Sequence, residues 1–548
     1  MKVITNMKNR FLTLALLAAV AGGAVPRCLA AEDGHFVVDG VANDVRIVGK
    51  QWTADNGALV CAGEGTFLYA AKQLGPGDFT VEASLSVEQL AKSAASLVFN
   101  DSHLGFEGSG GTMFTEGNLL GNHNLGQPVV EEDKPFDLVA TRRGDVFSIA
   151  IDGRPVVTTK VASSESVTVG LRPWRSTMRV SRFTATGNLV DPPQPLPHTD
   201  IFVSGEGDYH TYRIPAIVVT KRGTLLAFCE GRKTGRGDAG NIDMLVSRST
   251  DLGKTWSKPL IIWDDGDSTC GNPAPVVDQE TGVVWLPMTW NLGSDHEGDI
   301  MAGRSQQPRH AYITHSDDDG LSWAEPKKIS DAVRLPHWRW YATGPGNAIQ
   351  LTRGEHQGRL LIPANHSDHS DPETHPYRSH VFWSDDHGQT WQLGGIHEDR
   401  VNESAVVELT DGSILQAMRS YHGQNKRAMS VSHDGGKTWG PLYLDDTLET
   451  PVCQANILRY SWPEDADRGS KSRILFSSPR GSSRSKMTVW LSYDEGKTWP
   501  VSKLIYPGGS AYSNLVALPD GRIGVLYEKD GYRTISLATF DLEWLEGE

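Results

Sequence analysis

The chain has 548 residues, 39% of them hydrophobic and 22% charged, and a formal net charge of −15. That length supplies two or three domains with sizeable cores, and the acidic balance excludes a nucleic-acid-binding face, which needs a basic surface. The 57 glycines and 29 prolines point to many turns and an all-β architecture. An anionic small substrate would need a local cationic pocket.

Residues 1–30 read as an export signal. Lys2, Lys8 and Arg10 precede an apolar run from Phe11 to Val25, and small residues lead to Ala31. The run is too short for a membrane span, so the mature chain is expected to start near Ala31, outside the cytoplasm: periplasmic, at the cell surface or extracellular. The remaining cysteines, Cys61, Cys229, Cys270 and Cys453, are scattered without zinc or redox spacing and are expected as buried thiols.

Residues 31–189 consist of short alternating runs such as Phe79 to Leu85 and Val146 to Ile151, the pattern of half-buried strands. Asp152-Gly153 marks a hairpin turn, and Arg179 to Thr186 reads as a closing strand. In length and in its late hairpin the segment resembles a laminin-G or concanavalin-like β-sandwich, a class that implies a possible carbohydrate-binding module. Residues 190–199 hold the proline-rich stretch Asp191 to Pro197, a stiff linker without the donors that a sheet requires.

Residues 200–548 carry further strands, among them Ala216 to Val219, Thr224 to Phe228 and Gly282 to Met288, and no long amphipathic helix pattern. Through them runs the pattern Ser-x-Asp-x-Gly-x-Thr/Ser-Trp, first at Ser249 to Trp256, then from Ser316, Ser384, Ser432 and Ser492. The copies lie roughly 50 to 70 residues apart, a period of propellers or solenoids, and about six blades fit this half, so one should lack the octapeptide. The last strands, Arg522 to Tyr527 and Thr534 to Phe540, are expected to complete the first blade. Ser294 to His310 is a polar insertion placed to overhang a site. The repeated aspartates Asp251, Asp318, Asp386, Asp434 and Asp494 are read as turn residues, since five equivalent turns do not line one site.

Tyr212-Arg213-Ile214-Pro215 lies 25 residues before Asp238, which sits in a glycine-rich loop. An Arg-Ile-Pro motif followed by several such Asp boxes resembles the bacterial exo-sialidases, or neuraminidases, whose fold is a six-bladed β-propeller. Over about 200–548 the resemblance implies Glu403 and Tyr512 as catalytic base and nucleophile, and Asp238 as acid/base. It also implies Arg213, Arg419 (in Ala-Met-Arg) and Arg480 (in Ser-Pro-Arg-Gly) as a carboxylate clamp. Glu528 would orient Arg213, and Arg232 would add a substrate contact. The expected activity is retaining hydrolysis of terminal sialic acid from glycoconjugates. A trans-sialidase, or an intramolecular one, is the alternative on the same residues.

The chemistry suits these residue types. A carboxylate nucleophile would approach the sugar's own carboxylate, whereas a neutral tyrosine avoids that repulsion; sialidases with a tyrosine nucleophile are a known exception among glycosidases. Planar guanidinium forks bind two carboxylate oxygens in fixed geometry. The scheme needs no metal or other cofactor, and the expected partners are sialylated glycans. The stretch His366 to Asp371, with His375, matches no zinc or calcium spacing and is expected as a solvated loop. Gly271, before Asn272-Pro273, leaves the N-acetyl pocket unassigned, with Trp290 and Ile242 as candidates by type.

Overall fold

The computed structural model describes residues 32–547 apart from 91, 109, 118, 162–165, 193–195 and 371–372. The export signal and the centre of the proline stretch lie outside the described residues. The chain forms two compact units, Met1–Gln194 and Pro195–Glu548.

The first unit is a β-sandwich of two antiparallel sheets of nine and seven strands. Its longest strands, Gln73–Val87 and Thr177–Val190, pair side by side, and alternate residues of each point into the core. Phe79, Phe99 and Phe147 meet there with ring centroids 5.0 to 6.1 Å apart. Val146–Ile151 returns into Arg154–Lys160 through Asp152 and Gly153, both at positive φ, the backbone a two-residue hairpin demands.

The second unit is a six-bladed propeller. Thr211–Val219, Leu225–Arg232, Ile242–Ser249 and Leu260–Trp263 form the first blade, and each later blade repeats this antiparallel meander. The inner strands of the second to fifth blades begin at Thr269, Trp338, Val401 and Asn456. Val501–Ala517 is shared: its start is the outer strand of the fifth blade, and its end, from Ser510, is the inner strand of the sixth.

Ring closure differs from the expectation. Ile523–Lys529 and Thr534–Phe540 belong to the sixth blade, and His198–Val203, from the beginning of the unit, pairs with Thr534–Phe540 as its outer strand. The two ends of the unit thus share one sheet, and backbone pairing between them closes the ring. Near the axis, amides take up the inner strands' unpaired groups. Asn514 Oδ1 accepts from the backbone of Ile217 and Asn347, while the Asn456 and Asn514 side chains both donate to Asn347 Oδ1.

Each octapeptide closes the hairpin between the third and fourth strands of one of the first five blades; the sixth blade has none. In the first copy Ser249 Oγ donates to Asp251 Oδ1 at 2.8 Å and accepts from Gly253 N. Asp251 accepts from the backbone and hydroxyl of Thr255, and Trp256 Nε1 donates to Gly253 O. Asp318, Asp386, Asp434 and Asp494 repeat the pattern, so these aspartates are spent on their own turns.

The four described cysteines are buried and unpaired. His366, Ser367 and Asp368 are not in a solvated loop: they end the fully buried strand Leu360–Asp368, with His366 stacked on Trp338 at 3.4 Å and hydrogen bonded to His380. The apolar blade interior admits neutral imidazoles there, and burial drives the His366 pKa well down. Among the described residues no group of three or more His, Cys, Asp or Glu side chains could hold a metal, and no helix is long and apolar enough to cross a membrane.

Candidate active site

In an antiparallel meander the start of an inner strand and the end of the second strand lie at the same rim. Arg213, Glu403 and Tyr512 come from inner strands; Arg232, Arg419 and Glu528 come from the last positions of second strands. All six therefore face one end of the propeller. Irregular registers at Arg213/Ala216, Val401/Ser404 and Ser510/Ser513 turn three of the inner strands at these residues, as bulges do. Pro215 suits its bulge because it has no N–H to leave unpaired.

Of the six, all except Glu528 line a pocket of about 190 Å³. On one side Tyr512 Oη donates to Glu403 Oε1 at 2.5 Å, and Arg419 reaches Glu403 Oε2 at 2.7 Å and Tyr512 Oη at 3.2 Å. Burial holds the Tyr512 pKa well above the ordinary phenol value and the Glu403 charge adds to this, while Arg419 and Arg213 oppose it. The resting phenol is therefore neutral and hydrogen bonded to a carboxylate able to take its proton.

Glu528 is fully buried and joins two of these elements. Its Oε1 accepts from Arg213 Nε at 2.6 Å and Ile214 N at 2.9 Å; its Oε2 accepts from Tyr512 N at 3.1 Å. Arg213 also lies over the Tyr532 ring at 4.0 Å, so its guanidinium is fixed from two directions.

Asp238 stands in the loop after Leu225–Arg232, its side chain 65% exposed towards the pocket mouth. Its Oδ1 is 2.8 Å from Arg232 and 3.7 Å from Arg213. The partial desolvation of its carboxyl pushes the pKa up, but the charges of Arg232 and Arg213 outweigh this and hold it below the ordinary value.

Two expectations are corrected here. Arg480 is exposed and away from the pocket, and its backbone N–H closes the turn onto the carbonyls of Ser485 and Lys486. Arg484, four residues on in the same Arg/Ser-rich turn, lines the pocket instead, donating to Tyr532 Oη at 3.0 Å and lying 5.6 Å from the Tyr512 ring centroid. Among the described residues it pairs with no carboxylate. The second correction concerns Trp290, whose Nε1 is bonded to Asp265, and Ile242, which borders a separate small hollow; neither lines the main pocket. Gly271 is explained by crowding, because a Cβ there would sit 2.3 Å from Glu230 Oε1.

Sequence reasoning missed Glu230, Glu297, Arg309, Trp340, Tyr377 and Tyr421, all pocket-lining. The only signal was the insertion Ser294 to His310, which delivers Glu297 and Arg309. Arg309 is buried against Trp340 at 4.3 Å, and Tyr377 Oη donates to Glu297 Oε1 at 2.5 Å while its ring stacks on Tyr421. Burial raises the Glu297 pKa, opposed by Tyr377 and Arg309. Five arginines and four carboxylates thus line one pocket in an acidic protein, with Tyr512 between them.

Comparison with known proteins agrees with this geometry. The chain is 35% identical over 357 residues to a sialidase of Micromonospora viridifaciens, covering 64% of this chain and 54% of that protein. It is 30% identical over 347 residues to a sialidase of Bacteroides fragilis, covering 59% and 61%. It therefore spans less than two thirds of the length of either relative. Among solved structures, a Hadza microbial sialidase aligns over 94% of this chain and all of its own, with a TM-score of 0.58 at 22% identity. An intramolecular trans-sialidase from Ruminococcus gnavus aligns over 64% of this chain and 98% of its own, with a TM-score of 0.54 at 21% identity. At those identities the likeness is one of fold. The family model described as a BNR repeat-like domain matches residues 223–525, more than half of the chain, and the protein belongs to that family.

Proposed function

We propose that this protein is a retaining exo-sialidase that releases terminal sialic acid from glycoconjugates. The observation that carries the reading is the 2.5 Å hydrogen bond from Tyr512 to Glu403 inside a ring of arginines, with the exposed side chain of Asp238 at the same pocket. A phenol activated by a carboxylate suits an anomeric carbon that bears its own carboxylate, because the attacking atom approaches neutral.

Arg213, Arg419 and Arg484 hold the substrate carboxylate. Tyr512 Oη attacks the anomeric carbon as Glu403 takes the phenolic proton; the bond to the leaving oxygen breaks, and that oxygen takes its proton from Asp238. In the second half Asp238, now ionised, removes a proton from water, which displaces the tyrosyl oxygen, and Glu403 returns the proton to Tyr512. Two displacements at one carbon retain configuration. The similarity to proteins named as sialidases supports the same substrate class.

The test is time-resolved NMR of sialyllactose with the wild type, Tyr512→Phe and Glu403→Gln. Release of the α-anomer by the wild type, and loss of turnover on the order of a hundredfold or more in both variants, is the expected result. Initial release of the β-anomer, or full activity of Tyr512→Phe, would refute the mechanism. An anhydro product, or transfer to added lactose, would move the assignment to a trans-sialidase on the same residues.

A further inference from the structure

The resemblance to sialidases implies that Arg232 touches the substrate, yet its guanidinium is already engaged. The residue is 2% exposed and stands at the last position of Leu225–Arg232. Nε and one Nη donate to Glu230 Oε2 at 3.0 and 2.6 Å. The other Nη faces three successive residues of the following loop: Arg236 O at 2.6 Å, Gly237 O at 3.0 Å and Asp238 Oδ1 at 2.8 Å. A guanidinium has five N–H donors. Two go to Glu230 and two are shared among the loop acceptors, so a single N–H remains for a ligand.

Glu230 is itself pinned, with its second oxygen accepting from Asn272 N at 2.9 Å in the neighbouring blade. A rigid buried path thus runs from the second blade through Glu230 and Arg232 to the loop. The loop needs such an anchor. It contains Gly235, Gly237 and Gly240, and a Cβ at 235 would meet nothing within 4 Å, so packing does not fix its backbone.

We propose that Arg232 is a positioning residue for Asp238: held by Glu230, it clamps residues 236–238 and sets the acid within reach of the leaving oxygen. This rests on the sialidase reading. Its consequence is selective, because a displaced acid harms only the step in which a proton must reach the leaving group. A misplacement of about 1 Å is worth on the order of a hundredfold in such a step.

The experiment compares kcat/KM, which reports steps up to the first irreversible one, for sialyllactose and for a 4-nitrophenyl sialoside. Both present the same sialosyl group, but the nitrophenolate departs without a proton. Arg232→Gln is expected to lose on the order of a hundredfold on sialyllactose and less than about tenfold on the aryl substrate. Combined with Asp238→Ala it should be no slower on sialyllactose than Asp238→Ala alone, since both changes remove one function. Equal losses on the two substrates, or losses that multiply in the double variant, would overturn the proposal and return Arg232 to direct sialosyl binding. Should thermal melts show that Arg232→Gln does not fold, Glu230→Gln carries the same comparison, with the same selective pattern expected. A wild type that turns over neither substrate refutes the sialidase reading instead, so the two failures are distinct.

Discussion

Replacing Arg484 and Arg480 in turn by alanine separates the observed pocket from the one read out of the sequence motif. Arg484 lines the pocket, faces no carboxylate of the protein among the described residues, and donates to Tyr532 Oη, whose ring covers Arg213 at 4.0 Å. A hydrogen bond to an ionised group contributes about 1.5 to 3 kcal/mol, and at about 1.4 kcal/mol per decade its loss lowers carboxylate affinity roughly 10- to 150-fold. The upper part of that range is expected, because Tyr532 also loses a partner and Arg213 part of its support. Arg480→Ala removes only an exposed side chain and leaves its backbone hydrogen bonds in place, so a change within about twofold is expected. The assay is kcat/KM on an aryl sialoside alongside direct titration of free sialic acid, with thermal melts to show that both variants fold. A larger loss for Arg480→Ala than for Arg484→Ala would refute the placement of the turn and with it the proposed clamp.

Three further outcomes follow from the same geometry. The charges of Arg232 and Arg213 hold the Asp238 pKa down in the free protein, and a bound carboxylate offsets part of them; with sialyllactose the basic limb of kcat should lie above that of kcat/KM by roughly one to two pH units, and coincident limbs would show that bound substrate leaves Asp238 unperturbed. Burial lowers His380 to about 3 and His397 to about 4, so below pH 6.5 the unfolded chain binds protons that the folded one refuses. Their stabilisation is complete above pH 6.5 and is lost as pH falls towards about 4 for His397 and about 3 for His380, at up to about 1.4 kcal/mol per pH unit for each; thermal melts should show His397→Gln losing stability less steeply with acid than the wild type, and an unchanged slope would count against it. Gly271→Ala should destabilise the fold by about 1 to 3 kcal/mol in denaturant titration and lower turnover, since its Cβ would displace the Glu230 carboxylate that holds Arg232; unchanged stability would refute the crowding argument.

Features that depend on a few adjacent residues were legible in the amino-acid order. The aspartate of each octapeptide closes its hydrogen bonds within its own turn, as Asp251 does with Ser249 and Thr255, so the recurrence of the pattern alone marks the blades and their phase. Arg213, Glu403, Arg419, Tyr512 and Glu528 were legible only through short motifs that resemble those of sialidases; the structure places all five at strand ends on one rim. Distances in sequence decided the rest. Arg213 and Glu528 are 315 residues apart, and their 2.6 Å contact exists only once the ring has closed. Closure itself, by His198–Val203 in the sixth blade, depends on pairing between two ends of the unit that carry no shared pattern. The choice between Arg480 and Arg484 turned on the path of one tight turn, where a four-residue difference exchanges solvent for the pocket. Buried polar groups such as His366, Glu230 and Arg309 look like surface residues by type, and only their neighbours show that they are inside. The order of residues thus determined the scaffold, because local hydrogen bonding and strand alternation encode it, and through motif resemblance it nominated the candidate reacting groups. The tertiary structure decided which charges share the pocket, because that depends on contacts between blades.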